Sequence, residues 1–128
     1  MSQPPIRPSD GELAILRVLW TLGPATVRAV HTELTKGRDM GYTTVLKLMQ
    51  IMVEKGLVQR DESARTHVYQ ALQEEQPTQT FLVRDLLDRA FGGNAKALMV
   101  RALEAQPASL EELDEIQRLL DEARRNRT

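Results

Sequence analysis

Gly41-Tyr42-Thr43-Thr44-Val45-Leu46-Lys47-Leu48-Met49-Gln50-Ile51-Met52-Val53-Glu54-Lys55-Gly56 reads as a helix with two unlike faces. Val45, Leu48, Met49 and Met52 fall at i, i+3, i+4 and i+7 and line one side. At about 100° per residue the opposite side carries Thr43, Lys47, Gln50 and Glu54, flanked by Thr44 and Ile51. Gly56 stands where a C-cap glycine belongs, and Lys55 suits the negative end of the helix dipole. The polar side offers groups that fit base edges. Glutamine suits adenine, lysine suits guanine or phosphate, and a threonine methyl suits the thymine methyl. Taken alone, such a helix is more often a core helix with a solvated face, so its neighbours decide.

Upstream, Ser9-Asp10-Gly11-Glu12 spells a capping box, with Asp10 favourable in the first turn. The helix it opens runs to about Thr21 on a stripe of Leu13, Leu16 and Trp20, and Leu22-Gly23-Pro24 stops it. Thr26 caps a second helix, in which Val27, Val30, His31 and Leu34 share one face. Lys36 to Gly41 is a short polar connection. Downstream, Leu57 to Arg60 and Thr66 to Ala71 are β-prone runs on either side of a polar turn, Asp61 to Arg65. Two helices on a tight connection form a helix-turn-helix, and a hairpin directly after it makes a winged helix. Arg65, beside the turn, is placed to reach phosphate or the minor groove, with Arg60 in support.

After Leu72 the composition changes. Residues 73–78 read as a polar hinge, followed by helices and no further strand. The first runs from about Thr78 to Ala90 on Leu82, Leu86, Leu87 and Ala90, and Phe91-Gly92-Gly93 ends it. Asn94 caps the second, with Ala95, Leu98, Met99 and Ala102 on one face. Ser109 to Glu112 is a second capping box, opening a helix with Leu113, Ile116, Leu119, Leu120 and Ala123. Three short helices without an aromatic core bury too little surface alone. Their apolar stripes call for a partner, most simply a second copy of the chain.

The expected fold is therefore mainly α with a small β-hairpin wing. Its parts are a flexible arm at 1–8, a winged-helix domain at 9–72 and a helical dimerisation region at 73–128.

Composition narrows the chemistry. The chain has 128 residues, 41% of them hydrophobic, and a formal charge of −1. Residues 1–71 hold nine Lys and Arg against seven Asp and Glu, a balance of +2, while residues 72–128 balance at −3. A mildly basic front half is compatible with DNA. With no cysteine, disulfides, thiolate catalysis and Cys-type zinc are excluded, and a cytoplasmic location is expected. No apolar run is long enough to span a membrane, and the first residues lack a secretory h-region. His31 and His67 have no evident partners at metal-ligand spacing, and no nucleophile, acid and base can be placed together. No enzyme activity, cofactor or metal is expected. Trp20, Met49, Met52 and Met99 read as core, and the acidic run Glu111 to Glu115 as a solvated first turn.

Four blocks together resemble the penicillinase repressor family, which includes the methicillin-resistance regulator and the copper-responsive repressor of copper transport. They are Leu19 to Val30 (Leu-Trp-x-x-Gly-Pro-Ala-Thr-Val-Arg-x-Val), Gly41 to Val58, Arg65 to Tyr69 (Arg-Thr-His-Val-Tyr), and Leu86 to Gly93. The resemblance covers nearly the whole chain and is most specific at Tyr42 to Val45. It implies a winged-helix repressor that dimerises through its C-terminal helices and binds a dyad operator, commonly with TACA/TGTA half-sites. By position it assigns Tyr42, Thr43, Thr44 and Lys47 to groove reading and Arg65 to the wing.

In the β-lactam-responsive members a membrane-bound sensor metallopeptidase triggers proteolysis in the dimerisation region, so such a sensor or a downstream protease is an implied partner. Two departures stand out. The copper-responsive branch senses through Cys-x-Cys motifs, which this chain lacks. The cleaved Asn-Phe bond of the β-lactam branch would fall near Arg101-Ala102, and neither residue matches.

The site expected from residues and resemblance together comprises Tyr42, Thr43, Thr44, Lys47, Gln50 and Arg65, with Lys36 and Arg38 on phosphate. Dimerisation is assigned to Leu82, Leu86, Leu87, Leu98, Met99, Leu113, Ile116 and Leu120. Partners are double-stranded operator DNA and a second copy of the chain. Two alternatives remain at this level: a ligand-sensing winged-helix regulator, and a winged helix used for protein–protein docking.

Overall fold

A computed structural model describes residues 6–127. Their elements are α1 (Asp10–Leu22), α2 (Val27–Leu34), α3 (Tyr42–Lys55), β1 (Val58–Asp61), β2 (Val68–Ala71), α4 (Glu75–Phe91), α5 (Ala95–Ala105) and α6 (Leu110–Arg127). The chain divides into two compact units, and the division falls inside α4, between Val83 and Arg84.

In the first unit local signals fix the helix ends. The Ser9 hydroxyl accepts from the Glu12 N–H, and the Glu12 carboxylate accepts from the Ser9 N–H at 2.8 Å. The Thr26 hydroxyl accepts from the Ala29 N–H at 3.1 Å. Gly56 ends α3 at φ 80°, a left-handed conformation that costs glycine nothing, and its N–H donates back to Val53. Gly11 has a different role. A Cβ there would sit 3.0 Å from the Leu48 Cδ1, so α1 and α3 approach closely where that side chain is missing.

The three helices and the hairpin enclose one core. Ile15, Leu16 and Leu19 come from α1, Val27, Val30 and Leu34 from α2, and Val45, Met49 and Met52 from α3. Leu57, Val58 and Tyr69 close it from the hairpin side. The α1 stripe differs from the expected Leu13, Leu16 and Trp20. Leu13 and Trp20 are only half-buried, and Glu12, Ile15 and Leu19 take the inner positions. The Trp20 indole N–H donates to the Gln73 carbonyl at 2.9 Å, which uses its polar edge at the core margin.

The hairpin is antiparallel, pairing Val58 with Ala71, Gln59 with Gln70, Arg60 with Tyr69 and Asp61 with Val68. Ala25 adds an isolated antiparallel bridge to β2, exchanging hydrogen bonds with Tyr69 at 2.8 and 2.9 Å. The wing is thereby stitched to the segment between α1 and α2. A mainly helical chain with one wing is the expected fold class.

The expected hinge at 73–78 is largely helix. α4 begins at Glu75, and Pro77 fits because an N–H in the first turn has no partner within the helix. Thr78 is buried, and its hydroxyl bonds to the Glu74 carbonyl and the Gln73 side chain. Of the arm expected at 1–8, residues 1–5 lie outside the described residues. Pro8 is buried, and Ile6 Cδ1 lies 3.9 Å from where a Cβ on Gly56 would be.

The second unit has no comparable core. Asn94 caps α5 by accepting from the Ala97 N–H, and Ser109 with Glu112 forms the expected capping box on α6. Yet α5 and α6 contain no buried residue. Met99, expected as core, is 57% exposed, because the described residues leave its face of α5 uncovered.

Candidate nucleic-acid interface

α3 presents the two faces expected of it. Val45, Met49 and Met52 are fully buried, and Leu48 is half-buried at the edge. Tyr42, Thr43, Thr44, Lys47, Gln50 and Glu54 are exposed. The core fixes the orientation of this helix, so its outer side chains stand on a rigid base. Lys47 has no carboxylate partner among the described residues, which leaves its ammonium available for an external anion.

Tyr42, the first residue of α3, is held by α2. The His31 ring meets it edge to face at 5.7 Å, and the Arg28 guanidinium lies 5.9 Å from its ring centroid. Arg28 was not among the expected site residues. Its signal was faint: one exposed cation in a helix assigned to packing, whose relation to Tyr42 depends on how α2 and α3 meet.

The wing adds a second set of groups. At its turn the Asp61 carboxylate accepts from the Ser63 N–H at 2.9 Å, and Ser63 holds that carboxyl below its ordinary range. Arg60, expected in support of Arg65, is paired within the hairpin. Its Nε lies 2.7 Å from the Glu62 carboxylate and its cross-strand neighbour is Tyr69, so it braces the hairpin. The Tyr69 hydroxyl, followed by the charge of Glu62, strengthens its hold on its proton. Arg65 is exposed and has no carboxylate partner among the described residues. It shares a cavity of about 310 Å³ with Arg28, Tyr42 and His67.

The other two expected cations lie elsewhere. Lys36 and Arg38 stand on the connection between α2 and α3, both exposed and neither lining that cavity. Lys36 pairs with Glu33 at 2.9 Å, and Arg38 points a long 3.5 Å contact at the Asp10 carbonyl. At 68% and 38% exposure the Lys36 pair is a weak surface interaction that an anion could displace.

One interaction under α3 had no local signal. The Lys55 ammonium reaches both oxygens of Glu12, at 2.9 and 3.0 Å, and Glu12 is 1% exposed. Burial pushes the Glu12 carboxyl up, but the Ser9 donors and Lys55 outweigh it and leave it below its ordinary value. Sequence reading assigned Glu12 to its cap and Lys55 to the helix dipole. Their meeting ties the end of α3 to the start of α1.

The residues assigned to dimerisation differ in exposure. Leu82, Leu87 and Leu98 are half-buried, whereas Leu86 is 47%, Leu113 40%, Ile116 39% and Leu120 44% exposed. Along α6, Leu113, Ile116 and Leu120 recur at i, i+3 and i+7 on one side. Among the described residues no helix is long and apolar enough to cross a membrane.

Comparisons with known proteins agree over almost the full length. The family model described as penicillinase repressor matches residues 8–122. The transcriptional regulator BlaI of Mycobacterium tuberculosis is 34% identical over 118 residues, covering 91% of this chain and 84% of its own. The penicillinase repressor of Bacillus licheniformis is 25% identical over 114 residues, or 89% of each chain. The methicillin resistance regulatory protein MecI of Mammaliicoccus sciuri is 20% identical over 113 residues, covering 88% of this chain and 92% of its own.

Proposed function

The chain belongs to the penicillinase repressor family, and from that premise we propose that it represses transcription as a homodimer seated on a palindromic operator. The observation that carries this reading is α3, whose apolar face is locked into the core while Thr43, Thr44, Lys47 and Gln50 project outward. In the major groove these side chains supply base contacts, with Lys47 also drawing on phosphate. Tyr42 stands at the entry of the helix into the groove. Arg65 on the wing meets the backbone or the adjoining minor groove, and Lys36 and Arg38 add phosphate attraction.

A single α3 reads only a half-site. Two copies joined through Leu82, Leu86, Leu87, Leu98, Met99, Leu113, Ile116 and Leu120 read two half-sites one helical turn apart, about 34 Å. The exposed apolar stripes of α5 and α6 support this role, because they are where a single chain leaves apolar surface in water. Repression is by occupancy, in the cytoplasm, with no catalytic step. Severing the helical region would uncouple the half-sites, and this is how a sensor-triggered protease would lift repression.

Selection from a random duplex library tests this reading. Enrichment of a dyad with half-sites one turn apart is expected. Enrichment of a lone half-site, or of nothing, would contradict it.

A further inference from the structure

The cavity between α2, the start of α3 and the wing has a composition that the expected base-reading set does not explain. Arg28, Arg65 and His67 line it, and no carboxylate does. This chain carries eighteen Asp and Glu against seventeen Lys and Arg, so a lining with cations alone departs from its average surface. Neither arginine has a carboxylate partner among the described residues. Arg28 is held instead over the Tyr42 ring, which orders the guanidinium without neutralising it. Arg65 and His67 come from the wing side, and Thr26 adds a polar rim.

We propose that this cavity is a seat for one backbone phosphate of the bound DNA, with Arg28 as its principal ligand and Arg65 and His67 closing it from the wing. A guanidinium presents paired N–H donors that match phosphate oxygens, and an imidazole N–H adds a third donor. The placement suits a strand that rises out of the groove read by α3 and passes between α2 and the wing. The seat thus clamps the backbone at the edge of the half-site and sets the depth to which Tyr42 and Thr43 enter. It carries no sequence information. This inference rests on the DNA-binding reading above and adds to it a contact outside the recognition helix.

The test uses full-length protein, fluorescence anisotropy on a selected operator and on a scrambled duplex, and a KCl series. Arg28→Ala should weaken binding on the order of tenfold on both duplexes alike, and make the salt slope shallower by about one per protomer. Arg28→Lys, which keeps the positive charge, should keep the slope. Melting temperatures should match the wild type throughout.

An unchanged affinity and slope in Arg28→Ala, with wild-type protein binding normally, would overturn the seat alone. So would a loss confined to the operator with the slope unchanged, which would make Arg28 a reader or a support for Tyr42. Wild-type protein that binds neither duplex would overturn the DNA-binding reading and the seat with it. Inorganic phosphate at constant ionic strength, without DNA, separates the other source of this chemistry. No shift in melting temperature is expected. A shift that Arg28→Ala abolishes would assign the cavity to a free anion and overturn the backbone assignment.

Discussion

The two halves of this chain treat their apolar residues in opposite ways. From Ile15 to Tyr69 the first unit encloses a closed set of side chains, several of them with no exposed surface. In α5 and α6 the same residue types recur with helical spacing, yet none is buried, and Leu110 is 81% exposed. The first unit completes its own core and so can hold α3 rigidly. The second has amphipathic helices whose apolar faces stay largely open among the described residues. Periodicity announces that a face will be covered; it does not say by what.

The contrast can be broken most forcefully by cutting between the units. A fragment ending at Val83 should keep its core, sediment as a monomer and bind the operator on the order of 100-fold more weakly, through lost bivalency. A fragment that still sediments as a dimer would move the interface into the first unit. The next test pairs one substitution from each half. Met49→Ala should cost about 2–5 kcal/mol in denaturant unfolding, as a cavity in a closed core does. Leu113→Asp should leave the unfolding of the first unit unchanged while dissociating the dimer. A large change in that unfolding would erase the distinction between the halves.

Smaller effects are expected on the DNA face. Lys47→Ala and Arg65→Ala should each weaken operator binding by about 1–2 kcal/mol without lowering the melting temperature. Unchanged affinity in both would remove them from the interface.

The smallest effect concerns the tie beneath α3. Glu12→Gln should destabilise by about 1–2 kcal/mol at neutral pH, since the carboxylate loses Lys55 but part of that pair faces solvent. The folded Glu12 carboxyl lies below its ordinary value, so its contribution is complete above the unfolded-state pKa of about 4.3. It is lost as pH falls through the lower folded value. The gap between wild type and Glu12→Gln in melting temperature should therefore close in acid. A constant gap from pH 7 to pH 3 would show that the charge is not what stabilises.

Local and long-range features of this chain differ in how far the sequence alone announces them. Caps and breakers are local, so Ser9, Thr26, Gly56, Asn94 and Ser109 were legible from neighbouring residues alone. The buried face of α3 was legible because its period is clean. Leu16 lies in the α1 stripe as its spacing predicts, but Ile15 and Leu19 compete with Leu13 and Trp20 for the rest, and only packing chooses among them. The polar run at 73–78 reads as a hinge, yet α4 begins at Glu75, since proline is tolerated in a first turn. Arg28, His67 and the Glu12–Lys55 pair were illegible for a common reason. Each depends on residues far apart in sequence that meet only after the fold forms.

Operator binding by a dimer is tested most directly by one titration: full-length protein, by fluorescence anisotropy, on the promoter upstream of its own gene and on a scrambled duplex, across a salt series. Two protomers per operator, clear preference over scrambled DNA and a steep fall in affinity with salt are expected. Equal, weak binding to both duplexes, or no binding at low salt, would contradict it.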